Sequence, residues 1–132
     1  MNIKDFAEKW MEADKEAWQK GNFEPLEALE DANLCFHPPM GLPDMVGFVA
    51  HKQQIVDARK NCSDIKQEWR YLTGAGNLCV ISYTSSFRVK SNTPGSWFPV
   101  GKKVSADELL VMRIERGKTV EGWAKGQFTI TD

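Results

Sequence analysis

The chain has 132 residues, with 17 basic and 18 acidic side chains and a formal net charge of −1, so no field exists to attract nucleic acid or anionic lipid. Its 42% hydrophobic and 27% charged content is that of a globular protein, and residues 1–132 are expected to form one domain with a substantial core. No apolar run approaches the roughly 20 residues of a membrane span, and MNIKDFAEKW has no signal-peptide core, which predicts a cytoplasmic protein.

Residues 3 to 20 read as the clearest helix. Ile3, Phe6, Ala7, Trp10, Met11, Ala13, Ala17 and Trp18 recur at three- and four-residue spacing, and Gly21 stands where a C-terminal cap belongs. Trp10 and Trp18 either pack against a sheet or touch a ligand. Pro25 to Leu29 reads as a short helix with Pro in its first turn. Residues 32 to 37 then read as a brief strand, and Pro38-Pro39 with Gly41-Leu42-Pro43 forces an irregular loop. His37, at the exit of that strand, either exchanges protons in a cleft or caps the loop through a backbone carbonyl.

Gly47 precedes a second long helix, over about 48 to 60, with Phe48, His51, Ile55 and Ala58 on one face. His51 is either a satisfied core residue or a pocket group. Asp64 to Thr73 alternates as a strand, with Ile65, Gln67, Trp69 and Tyr71 on one side. A Gly-rich turn leads to a strand over about 78 to 90, with Cys79, Ile81, Tyr83, Ser85, Phe87 and Val89 on one face. Ser91 to Lys102 is a Pro- and Gly-punctuated loop bearing Trp97 and Phe98, aromatics suited to a lid, a pocket wall or a contact between copies.

The last third, GKKVSADELLVMRIERGKTVEGWAKGQF, reads as two strands joined at Arg116-Gly117-Lys118. Leu110, Met112 and Ile114 share a face of the first. In the second, Glu121, Trp123 and Lys125 alternate with Gly122, Ala124 and Gly126, leaving near-bare backbone on one side for something to pack against. Helices collected before an antiparallel meander imply an α+β domain with helices on one face of the sheet.

Two segments, FHPPMGLPDMVGFVAHKQQI and GKKVSADELLVMRIERGKTVEGW, resemble the SnoaL-like polyketide cyclase family of the nuclear transport factor 2-like superfamily. The matching features are the loop into Gly47 and its helix, Gly101-Lys102, Arg113-Ile114, Gly117-Lys118 and Trp123. The resemblance implies a cone-like, cystatin-like α+β barrel. A strongly curved mixed or antiparallel sheet would wrap around the N-terminal helices and leave an apolar pocket at the wide end. It also implies homodimers across the sheet, where Leu109 and Val111 would suit the interface. Enzymes of the superfamily use a pocket carboxylate as acid and base, and other members only bind. Two familiar acidic positions are Leu110 and the Ala124-Lys125 pair here, so the known mechanisms do not transfer unchanged.

Within that expected pocket, alternation puts Glu108 on the face of Leu110 and Met112, with Asp107 outward unless a bulge near Ser105 reverses them. Lys125 is either a base of lowered pKa, a partner of Glu108 or Glu121, or a rim residue. Tyr71 and Tyr83 either donate to a ligand carbonyl or bond the backbone. Trp10, Phe36, Phe48, Phe87, Trp97 and Trp123 would supply apolar walls. Catalytic candidates are therefore Glu108, His37, His51 and Tyr83, acting on a small apolar ligand. No cofactor is expected, since neither a GxGxxG nor a Walker segment is present. No metal is expected either, because the two His lack carboxylate or thiol neighbours at ligand spacing. Three cysteines, Cys35, Cys62 and Cys79, without CxxC spacing fit a reducing compartment. Two readings follow: a cofactor-independent lyase, isomerase or cyclase on a carbonyl or ring compound, or a non-catalytic dimeric binding protein of the same fold.

Overall fold

The computed structural model describes residues 2–92 and 98–132. Its elements are α1 (Ile3–Lys20), α2 (Glu24–Leu29), β1 (Glu30–His37), β2 (Met45–Val46), α3 (Phe48–Asn61), β3 (Cys62–Ala75), β4 (Leu78–Val89), β5 (Lys103–Glu115) and β6 (Lys118–Thr131). Each helix boundary has a local cause. Asn2 Oδ1 accepts from the backbone N–H of Lys4 and Asp5, which caps α1. At the other end Gly21, at φ 70°, returns its N–H to the Ala17 carbonyl. The two-residue β2 was not predicted; it forms because the proline-bearing loop folds back to pair Phe36 with Met45 and Cys35 with Val46.

The strands form one open sheet in the order β2-β1-β6-β5-β4-β3, in which β1 runs parallel to β6 and the other pairs are antiparallel. A cone-like α+β fold of the nuclear transport factor 2-like type results. The β5–β6 turn is Arg116-Gly117, both at positive φ (51° and 75°), the pairing that matches the right-handed twist of a two-residue hairpin.

Register decides which face of this hairpin meets the helices. Leu110 lies opposite Ala124, Met112 opposite Gly122, and Glu108 opposite Gly126. Large side chains of β5 thus face small ones of β6, and Leu110, Met112, Gly122 and Ala124 are buried together. The bare backbone of β6 receives Phe36, whose ring would lie 2.9 Å from a Cβ placed on Gly122. Around this floor α1 and α3 contribute Phe6, Trp10, Ala13, Phe48 and Ile55 to the core.

This register corrects two expectations. Trp123 and Lys125 belong to the outer face, opposite Val111 and Leu109. Trp123 is 36% exposed and stacks on His37, and Lys125 is exposed. Neither lines the interior, because the small residues between them occupy it.

Candidate functional site

Between the helices and the inner face of the sheet lies a cavity of about 510 Å³. Of the candidates named from sequence, Trp10, Phe36, His51, Tyr83, Phe87, Glu108, Leu110 and Met112 line it. Phe87 meets Phe98 edge-on at 5.8 Å, and Phe98 meets Phe128 at 5.1 Å, so aromatic rings form one wall. Phe48 is instead buried in the core, and Tyr71 packs at the N-terminal end of α1, where Lys4 sits over its ring. Trp97 lies outside the described residues.

The polar part of the cavity is a set of three ionisable groups from three elements, two buried carboxyls and a part-buried imidazole. α1 supplies Asp14, the first residue of β1 supplies Glu30, and α3 supplies His51. His51 Nδ1 donates to Glu30 Oε1 at 2.7 Å, and Trp10 Nε1 donates to Glu30 Oε2 at 2.9 Å. Trp69 Nε1 donates to Asp14 Oδ2 at 3.1 Å. The other Asp14 oxygen, Oδ1, lies 3.8 Å from His51 Nε2 and has no hydrogen-bond partner among the described residues. A buried carboxylate oxygen is costly to leave unpaired. Asp14 is itself among the residues that line the cavity.

The electrostatics follow from burial. Loss of hydration pushes the Asp14 carboxyl up to about 7; the His51 charge pulls it back, and the Glu30 charge adds to the rise. Burial also opposes a charge on His51, but the Glu30 charge and hydrogen bond, helped by Asp14, outweigh it and raise the imidazole above its usual value. Glu30 and His51 therefore form a 2.7 Å hydrogen-bonded pair that becomes an ion pair when the imidazole is protonated. Asp14 is left to gain and lose a proton near neutrality.

Facing this set across the cavity are Tyr83 on β4 and Glu108 on β5, adjacent in the ladder. The Tyr83 hydroxyl accepts from Gln67 Nε2 at 2.8 Å, and its ring packs on Trp69 at 5.4 Å. Burial, then the Asp14 charge, raises the phenol pKa, so it stays protonated and able to donate. Burial likewise pushes the Glu108 carboxyl up to about 7. Asp107 is exposed on the other face.

His37 is not part of this cavity. It sits on the outer face, with Nδ1 2.9 Å from Asp44 Oδ1 and Nε2 2.8 Å from Glu121 Oε2. The expectation that neither His has a ligand-spaced neighbour also fails there. One donor atom from each of Cys35, His37 and Asp44 lies within 4.8 Å of the others. Burial and the neighbouring carboxylates push the Cys35 thiol up, which argues against a nucleophilic role.

Asp14 and Glu30 were missed in the sequence. Asp14 did carry a signal: it interrupts the apolar stripe of α1 midway between Trp10 and Trp18, four residues from each, where a charge is out of place. Glu30 carried none, since its burial depends on α1 and α3 closing over the start of β1.

Helices and cone-like sheet together define an α+β fold of the nuclear transport factor 2-like type. The chain belongs to the SnoaL-like polyketide cyclase family, which it matches over residues 8–127. Among solved structures it is similar to TsrD from Streptomyces laurentii, with TM-score 0.75 and 18% identity over 94% of this chain and 90% of that one. It is also similar to IdmH, a candidate polyketide cyclase from Streptomyces antibioticus, with TM-score 0.70 and 16% identity over 96% and 93% of the two chains. An LEH-like epoxide hydrolase from M. tuberculosis gives TM-score 0.63 and 14% identity over 93% and 84%. At these identities the likeness is one of fold. No curated protein matches the chain at a significant level.

Proposed function

We propose that this protein is an acid–base catalyst, a lyase, isomerase or cyclase, acting on a small and largely apolar carbonyl or ring compound. The observation that carries the reading is Asp14: a carboxyl lining an aromatic-walled cavity and titrating near 7, one of whose oxygens is buried with no hydrogen-bond partner among the described residues.

In the proposed step Asp14 takes a proton from carbon next to the substrate carbonyl. The electron pair left behind moves onto the carbonyl oxygen, and Tyr83 stabilises that oxygen by donating its O–H. Glu108, whose carboxyl burial keeps partly protonated near neutrality, returns a proton to the rearranged product. His51, anchored by Glu30, holds positive charge 3.8 Å from Asp14 and keeps the carboxylate form accessible. Membership in the family supports this reading, as does the epoxide hydrolase likeness at the level of fold.

The test is carbon-bound hydrogen exchange. A panel of apolar cyclic ketones and 1,3-diketones in D2O, followed by proton NMR, should show exchange accelerated by the protein. Asp14→Asn should slow it by about 10²- to 10⁴-fold, the usual worth of a positioned base. Saturable binding of the same compounds without any exchange would favour the non-catalytic reading instead. Outer-face Leu109, 46% exposed beside Val111, supports a further element of the proposal, a homodimer formed across the sheet. Sedimentation equilibrium returning the mass of one chain would refute it.

A further inference from the structure

The outer face of the sheet carries a second cluster, separate from the cavity. Cys35 and His37 lie two residues apart on β1 and so project to the same side. The β1–β6 register puts Glu121 beside Cys35 and Trp123 beside His37, and the loop before β2 brings up Asp44. The His37 ring is fixed from three directions: stacked on Trp123 at 5.7 Å, and approached by a carboxylate oxygen at each nitrogen. A neutral imidazole has one N–H to give. A second cation is needed on the ring's other edge, either a proton or a metal.

The two carboxylates are not equivalent. Glu121 is braced by Arg113, whose guanidinium donates to Oε1 at 3.2 Å. Asp44 has no Lys or Arg within ion-pair distance among the described residues. One donor atom from each of Cys35, His37 and Asp44 lies within 4.8 Å of the others, close enough to gather around an ion on the Asp44 side. Ligand atoms around a tetrahedral ion with bonds of about 2.0–2.3 Å stand about 3–4 Å apart. His37 Nδ1 and Asp44 Oδ1 are 2.9 Å apart, whereas Cys35 Sγ stands 3.8 Å from the opposite ring nitrogen, Nε2, and closes on the ion by rotation of its side chain.

We propose that Cys35, His37 and Asp44 form a binding site for a divalent transition metal, zinc by the chemistry of its donors, on the outer face of the sheet. Thiolate, imidazole and carboxylate are the set zinc prefers, and one thiolate with one carboxylate balances its charge. Nδ1 binds the ion beside Asp44. The opposite nitrogen then gives its N–H to Glu121, the carboxylate–histidine–metal arrangement that fixes the tautomer and ring orientation. Asp44 is exposed, so a water completes the fourth position. The site stands independently of the chemistry proposed for the cavity.

The experiment uses the full chain, freed of metal with a chelator, and titrated with Co²⁺ alone. A thiolate-to-cobalt charge-transfer band in the near ultraviolet should appear at one equivalent and vanish when Zn²⁺ is added. Cys35→Ser and His37→Gln should abolish it, whereas Cys62→Ser should keep it. Glu121→Gln should weaken Zn²⁺ by about 10- to 100-fold, as loss of an orienting carboxylate does. Asp44→Asn changes an exposed loop side chain with little risk to folding, and it should weaken Zn²⁺ at least as much. No band in the unmodified protein, a band that survives Cys35→Ser, or unchanged Zn²⁺ affinity in Asp44→Asn would each overturn the proposal.

Discussion

Each histidine of this protein stands between two carboxylates, yet the two settings do opposite things to their acids. His51 lies between Glu30 and Asp14 under the helices; His37 lies between Asp44 and Glu121 on the sheet's outer face. On the outer face, the hydrogen bond from His37 holds Glu121 below the usual carboxylate range. In the interior, burial pushes Asp14 up to about 7 although a histidine stands 3.8 Å away. Composition is the same; hydration differs. Water and Arg113 share the charge around Glu121, whereas the interior supports one ion pair and leaves the third group to titrate.

The largest way to break this contrast is to remove the interior anchor. Glu30→Ala strips His51 and the Trp10 N–H of their shared partner, and should cost about 3–5 kcal/mol in urea unfolding. A cost comparable to a surface pair would mean that the buried ion pair does not exist as described.

Next comes pH. The folded-state pKa of Asp14 lies above its ordinary value, so between about 4 and about 7 the native state holds more protons than the unfolded chain. Stability is therefore lost as pH rises through that window. Asp14→Asn removes this dependence: the mutant should match the parent near pH 4 and exceed it by on the order of a few kcal/mol above pH 7. A stability difference that stays constant from pH 4 to pH 8 would contradict it. The exchange reaction should show a bell-shaped profile centred near 7, falling on the acid side as Asp14 protonates and on the alkaline side as Glu108 ionises.

Gly122→Ala tests the inner face of the hairpin. Its Cβ would stand 2.9 Å from the Phe36 ring, and displacing that ring should cost about 1–3 kcal/mol in thermal unfolding. The smallest effect belongs to the outer face. With chelator present, Asp44→Ala should change unfolding free energy by no more than about 1 kcal/mol, as exposed pairs do. A larger loss would place the two histidine settings in one class and remove the distinction.

Much of the fold was legible. The apolar stripe of residues 3 to 20, with Gly21 behind it, predicted α1 to the residue, and alternation from Glu108 to Met112 identified the inward side of β5. Of the candidate site, the sequence singled out His51, Tyr83 and Glu108, which are among the residues lining one cavity. The placement of His37, Trp123 and Lys125 was not legible, because strand alternation says which residues share a face and not which face the helices cover. Ladder register settles that, by setting Ala124 and Gly122 against Leu110 and Met112.

Local spacing, caps and turn residues determined the elements and their order, since these depend on neighbours within a few positions along the chain. The raised proton affinity of Asp14 was decided only when α1, β1 and α3 closed on one another. A carboxylate acquires an unusual proton affinity from the water it has lost and the charges it meets, and both come from residues distant in sequence.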